Sequence, residues 1–235
     1  MIRKHCRGWI ATGLSVLFFV SACCQAQVAS RPEVTEWTWE VRPDQVDQKL
    51  PNVLLVGDSI TRNYFPEVQH ELSGRANVYL FAASTSLGDP RLDAQLNEFA
   101  ALQGVTFSVV HFNNGMHGWA YTEKEYAASF PGYVATLRKI ASGARFIWAS
   151  TTPVRKDGSP GPTNARIKVR NAQALQIVNR ESILIDDQYA LMLRYPNLYM
   201  DDVHFNPEGS TVQGRQVANA IGKYLPGGCY RCSMP

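Results

Sequence analysis

Asn52-Val53-Leu54-Leu55-Val56-Gly57-Asp58-Ser59-Ile60 is the stretch whose reading decides the fold. Residues 53–56 form an unbroken apolar run that stops at Gly57. A run this short, without polar alternation, suits a strand covered on both faces. After Ser59 the pattern turns helix-like over 60–72. The same alternation recurs down the chain. Runs rich in β-branched or aromatic residues lie at 76–82, 107–112, 144–150 and 183–185, and helix-like stretches at 90–102, 122–142, 164–181 and 207–224. In 164–181, Ile167, Ala174, Leu175 and Val178 recur at helical spacing and make one apolar face. About five strand–helix alternations predict a parallel sheet with helices on both faces. The crossovers are expected to be right-handed. The expected fold is therefore α/β, a three-layer α/β/α sandwich with a mainly parallel five-stranded sheet.

The core domain is expected to span 51–228, followed by a C-terminal tail at 229–235. Residues 27–50 form an N-terminal extension. It holds Pro32 and Pro43, with Trp37 and Trp39 on alternating positions. An edge strand packed on the domain is the favoured reading. No repeat, low-complexity tract or second domain is evident. The longest loop, 155–163, contains Gly158, Pro160, Gly161 and Pro162. It is either the rim of a site or a solvated spacer.

Charge excludes one class of partner. Of 23 Lys and Arg, Arg3, Lys4 and Arg7 lie in the first 26 residues, which contain no acid. The remaining body has 20 basic residues against 20 acidic ones. It carries no broad basic field for a phosphate backbone, so nucleic acid is not an expected partner. With 45% hydrophobic and 18% charged residues, the chain is not of the disordered class.

The N-terminus reads as an export signal. A basic start is followed by a mostly apolar stretch over 9–20, too short to span a bilayer with ease, and then by small residues. Val20-Ser21-Ala22-Cys23 resembles a lipoprotein box, in which Cys23 becomes the lipidated first residue after a 1–22 signal. Cleavage after Ala26 is the competing reading, with a 1–26 signal peptide. Either way the body is expected outside the cytoplasm: periplasmic, secreted or lipid-anchored to a membrane. Beyond the leader, only Cys229 and Cys232 remain, and a tight structural disulfide is the expected pairing in an oxidising compartment.

In an open parallel sheet, ligands bind beyond the carboxyl ends of the strands. The polar residues concentrate there. Gly57-Asp58-Ser59 follows the first strand and Ser86-Leu87-Gly88-Asp89 the second. His111-Phe112-Asn113-Asn114-Gly115 follows the third, and Asp201-Asp202-Val203-His204 lies after the fifth. Acyl transfer needs a nucleophile, a base, an orienter for the base, and donors for the oxyanion. Ser59 sits where a strand becomes a helix, whose N-terminus favours developing negative charge. His204 suits the base and Asp201, three residues earlier, the orienter. Asp202 is the rival orienter at a poorer spacing. The N–H groups of Ser59 and Gly88 and the amide of Asn113 are the expected oxyanion donors.

This set resembles the SGNH, or GDSL-type, family of serine esterases and acylhydrolases. Gly57-Asp58-Ser59 matches the family's first block, Gly88 its second, and Asp201 with His204 its fifth. The third block usually reads Gly-x-Asn-Asp. Here it is His111-Phe112-Asn113-Asn114, with His111 for the glycine and Asn114 for the final acid. The resemblance covers about 51–225. It implies a flavodoxin-like SGNH fold, Ser59 as nucleophile and either Asn113 or Asn114 as the third oxyanion donor. Neither a metal nor an organic cofactor is expected.

The expected substrate is a small-molecule or glycan ester, with a short acyl group such as acetyl. Lipid, lysophospholipid and thioester substrates are alternatives within the same chemistry, and a non-catalytic glycan-binding protein is the alternative outside it. Asn114 and His117 are candidate substrate contacts. Trp119 reads as filler, Asp186 and Asp187 as a turn or cap, and Arg155 as a solvated side chain. A metal site on His111 and His117 finds no carboxylate or Cys at ligand spacing.

Overall fold

The computed structural model describes Met1 and residues 29–227. The signal reading at 1–26, the lipidation reading at Cys23 and the Cys229–Cys232 pair lie outside the described residues. The elements in order are β1 (Thr38–Val41), β2 (Asn52–Gly57), α1 (Ser59–Glu71), β3 (Asn77–Ala83), α2 (Arg91–Gln103) and β4 (Phe107–Phe112). They continue with α3 (Glu123–Ile140), β5 (Arg145–Ala149), α4 (Asn164–Arg180), β6 (Leu184–Asp186), α5 (Gln188–Leu193) and α6 (Pro207–Gly222).

The strands form one sheet in the order β1-β3-β2-β4-β5-β6. β3, β2, β4, β5 and β6 run parallel. The sheet thus has six strands rather than the expected five. The extra one, β1, pairs antiparallel with β3, from Thr38 opposite Ala83 to Val41 opposite Leu80. It comes from the N-terminal extension, as an edge strand should, and occupies the otherwise unpaired rim of β3. Its side chains are largely exposed, so no apolar run marked it. The short α5 was also unforeseen; Asp187 caps it by accepting from the Ala190 N–H.

The pleat of β2 explains the layers. Leu54 and Val56 point to one face and pack with Tyr79, Phe81, Val110 and Phe112 beneath α2, α3 and α4. Val53 and Leu55 point to the other and pack with Val78, Leu80 and Val109 beneath α1 and α6. All four are at most 2% exposed. At about 1.5–3 kcal/mol for each fully buried aliphatic side chain, this strand alone is a large part of the hydrophobic driving force. α1 and α3 run through Pro66 and Pro131. An internal proline costs about 3 kcal/mol or more. Buried faces offset it: Tyr64, Phe65 and Val68 on α1, and Phe130, Tyr133 and Val134 on α3. Among the described residues, no helix is long and apolar enough to cross a membrane.

The chain passes from β2 to β3 on one side and from β3 back to β4 on the other. The reversal leaves a crevice at the carboxyl end of β2, the switch point of a doubly wound sheet. β2 enters α1 without a loop. Gly57 ends the strand and Asp58, in an extended conformation, caps the helix by accepting from the Ile60 N–H at 2.9 Å. A Cβ on Gly57 would stand 2.0 Å from Thr61 Oγ1 and 2.7 Å from Thr61 Cβ. Overpacking of this kind costs about 1–3 kcal/mol. Gly57→Ala is expected to lower stability by that amount in urea unfolding, whereas Gly74→Ala, at a residue whose Cβ meets nothing within 4 Å, tests only its positive φ of 68°.

Candidate active site

Ser59 is the first residue of α1, half-buried at the mouth of the crevice. Its Oγ lies 2.8 Å from His204 Nε2, and His204 Nδ1 lies 2.8 Å from Asp201 Oδ2. The three expected catalytic residues therefore form one hydrogen-bonded chain. A tight turn before α6 makes this possible. Tyr199 bridges Phe205 with their rings 4.5 Å apart, and the Met200 N–H donates to the His204 carbonyl. Asp201 Oδ1 accepts from the N–H groups of Val203 and His204, at 2.7 and 2.6 Å. Burial would raise the Asp201 carboxyl. Those two N–H groups and the His204 ring outweigh it and hold the carboxyl below its ordinary range. The carboxylate thus stays ionised and fixes the histidine tautomer. Asp202 does not compete: it turns away to Arg155 at 2.9 Å.

Gly88 lies in the left-handed region, with φ 99°. The loop around it is fastened from the next strand end. Asn114 Oδ1 accepts from the Leu87 N–H at 2.8 Å, and Asn114 Nδ2 donates to the Thr85 carbonyl at 3.0 Å. Asp89, 4% exposed, accepts from the Arg91 N–H and guanidinium and from Ser30 Oγ. Asp58 and Asp89 both shape turns.

One expectation is corrected here. The Asn113 amide does not face Ser59 with a spare hydrogen. Its Nδ2 donates to the Ala149 carbonyl at 2.7 Å and to Thr151 Oγ1 at 3.1 Å. Its N–H extends the ladder by donating to the Val56 carbonyl. Asn113 ties the end of β4 to β5, because the neighbouring strand end presents an unpaired carbonyl that needs a donor. Asn114 likewise fastens a loop, through its two bonds to Leu87 and Thr85. The N–H groups of Ser59 and Gly88 have no protein acceptor among the described residues.

The two other candidate histidines part company. His111, fully buried, reaches across β5 and places Nε2 2.9 Å from Asp186 Oδ2. Gln188 and Gln216 also donate to that carboxylate. The residue standing for the third-block glycine is thus half of a buried pair in the core. His117 places Nδ1 2.9 Å from Glu33 Oε2, whose other oxygen accepts from the Gly118 N–H. Burial pulls the His117 pKa down, but the bond to Glu33 together with the charges of Asp58, Glu33 and Glu36 outweighs it and the net shift is upward. Trp119 packs under Arg170 at 4.0 Å and fills the loop.

Only tertiary folding brings Glu33 and Asp186 to their histidines: the sequence reading missed Glu33 and took Asp186 for a turn or cap, whereas it is Asp187 that caps α5. It also missed Arg62, one helical turn past Ser59, which i,i+3 spacing could have flagged.

No family model matches the chain, and no curated protein matches it. Solved structures do. A member of the lipolytic G-D-S-L family from Veillonella parvula superposes with TM-score 0.57 at 14% identity, covering 71% of this chain and 95% of that one. A GDSL-like lipase from Bacteroides thetaiotaomicron gives 0.57 at 18%, covering 77% and 92%. An acetylxylan esterase from Geobacillus stearothermophilus gives 0.59 at 19%, covering 73% and 94%. The chain has the fold of these GDSL-type hydrolases.

The Asp186 carboxyl is held below its ordinary range: burial raises it, but His111 and the two glutamines outweigh that. A depressed folded pKa gives stability that is present above the unfolded value of about 4 and lost as pH falls through the folded one. Asp186→Asn is expected to cost about 3–5 kcal/mol at neutral pH. In pH-dependent unfolding it should also flatten the limb below about pH 4.

Proposed function

We propose that this chain is an exported serine esterase that cleaves carboxylic esters through an acyl-serine intermediate. The observation that carries the reading is the Ser59–His204–Asp201 chain, with both contacts at 2.8 Å. A serine hydroxyl is a weak nucleophile unless a base stands at its oxygen. His204 is such a base, and Asp201 orients it.

Ser59 Oγ attacks the ester carbonyl while His204 Nε2 takes its proton. The carbonyl oxygen becomes an oxyanion against the N–H groups of Ser59 and Gly88, aided by the positive end of α1. The intermediate collapses, the ester C–O bond breaks, and His204 returns the proton to the departing alcohol. Water then attacks the acyl-serine with His204 again as base, releasing the acid and restoring Ser59. The scheme needs no metal or organic cofactor.

A short acyl group on a carbohydrate is the substrate class we favour. His204 and Asp201 are 29% and 50% exposed at their side chains, so the site lies on an open rim. An open groove is lined by Asn63 and Pro66 of α1 and by Met200, Phe205 and Pro207, with Met200 next to Asp201 and Phe205 next to His204 in the chain. It suits a large hydrated alcohol portion better than an enclosed acyl tunnel. The acetylxylan esterase among the fold relatives acts on a substrate of that kind. Export rests on the leader sequence.

The test is acetate release from p-nitrophenyl acetate by the protein lacking residues 1–26. Ser59→Ala is expected to abolish turnover. Turnover that survives in Ser59→Ala removes the serine from the mechanism. Absence of turnover in both, on this ester and on acetylated glycans, favours a non-catalytic glycan binder. In a working triad the orienter is worth about 10⁴ in kcat. Asp201→Asn is therefore expected to lose that factor, and Asp202→Asn less than about threefold, since Asp202 only meets Arg155 on the exterior.

A further inference from the structure

Arg62 stands on α1 three residues after Ser59, on the same side of the helix. Its guanidinium carbon lies 5.2 Å from the Trp37 ring centre and 5.4 Å from that of Trp39. Both tryptophans come from the N-terminal extension and β1. Trp37 is held firmly: its N–H donates to Ser84 Oγ at 2.8 Å and its carbonyl accepts the Ser84 N–H at 3.0 Å. Its ring meets His117 edge-on at 6.1 Å, and Glu33 holds His117.

The other arginines near this rim are spoken for. Arg31 pairs with Glu125, Arg91 with Asp89 and Glu36, and Arg155 with Asp202. Arg62 makes neither an ion pair nor a side-chain hydrogen bond among the described residues. The nearby acids are engaged elsewhere. Glu33 binds His117 and the Gly118 N–H; Glu36 binds Ser84, Arg91 and the Glu33 N–H; Asp58 caps α1 through Oδ1, its Oδ2 being buried without a hydrogen-bond partner. A guanidinium stacked on aromatic rings uses its faces and keeps its N–H fork. That fork matches a carboxylate in bidentate geometry. Stacking also restricts the long side chain in advance, which lowers the entropy lost on binding.

We infer that Arg62, cradled by Trp37 and Trp39, recognises a carboxylate on the alcohol portion of the substrate, so that the preferred ester is one on an acidic, uronate-type sugar. This rests on the esterase reading above. The carboxylate is assigned to the alcohol portion because a short acyl group such as acetyl carries none.

The test compares an acetylated methyl glucuronoside with the same compound whose carboxyl is masked as a methyl ester, by acetate release. The unmasked acid is expected to be preferred about tenfold or more in kcat/KM, through KM. Added salt should narrow the preference, and Arg62→Gln should bring the ratio close to one. Equal rates on the two compounds, or an unchanged ratio in Arg62→Gln, would overturn the inference. A second readout needs no turnover. Ser59→Ala protein, with Arg62 intact, is titrated with methyl glucuronoside and with its methyl ester by NMR. Tighter binding of the acid supports the subsite even if the esterase reading fails, and equal binding removes the subsite even if that reading holds.

Discussion

The hydrogen bond between Ser59 and His204 joins residues 145 apart in the chain, and the fold is arranged so that they meet. One partner is fixed by the direct passage of β2 into α1, where Gly57 admits Thr61 and Asp58 caps the helix. The other is fixed by the turn before α6, where Asp201 accepts two backbone N–H groups while still holding the imidazole. Neither end relies on a long flexible loop. α1 and α6 pack side by side on the same face of the sheet, over Val53, Leu55 and Val109, so the buried core sets the separation of the two side chains. The burial that stabilises the domain thus also prepositions the proposed nucleophile and base, which is where much of the advantage of an oriented site arises.

Much of this was legible in the chain. The apolar runs and helical stretches mark five parallel strands and five of the six helices within a few residues. Ser59, Asp201 and His204 could be named because local spacing carries them: a strand-to-helix passage in one case and a three-residue interval in the other. What escaped was tertiary. For β1 the sequence suggested only an edge strand somewhere in 27–50; its side chains are largely exposed, so pairing with β3 fixes its bounds and register. The Asn113 side chain follows from an unpaired carbonyl on Ala149, which only the strand order brings within reach. The pairing of His111 with Asp186 needs two strand ends that lie 75 positions apart.

The extension before β2 has more to do than seal an edge. Within residues 30–39 it sends Ser30 to Asp89, Arg31 to Glu125, Glu33 to His117 and Trp37 to Ser84, so it fastens the loops on one side of the crevice. It also supplies the two rings against which Arg62 lies. In this account the common α/β/α body holds the reacting groups, while the added strap shapes what lies beside them. On the proposed reading, specificity resides in the extension rather than in the α/β/α body.

The most direct test of the central claim, that Ser59 is activated by His204, is labelling by an organophosphonate followed by peptide mapping. The account predicts stoichiometric modification of Ser59 alone, lost when His204 is replaced by Gln in a protein that remains folded. Modification at another residue, or labelling of Ser59 that persists without the imidazole, would contradict it.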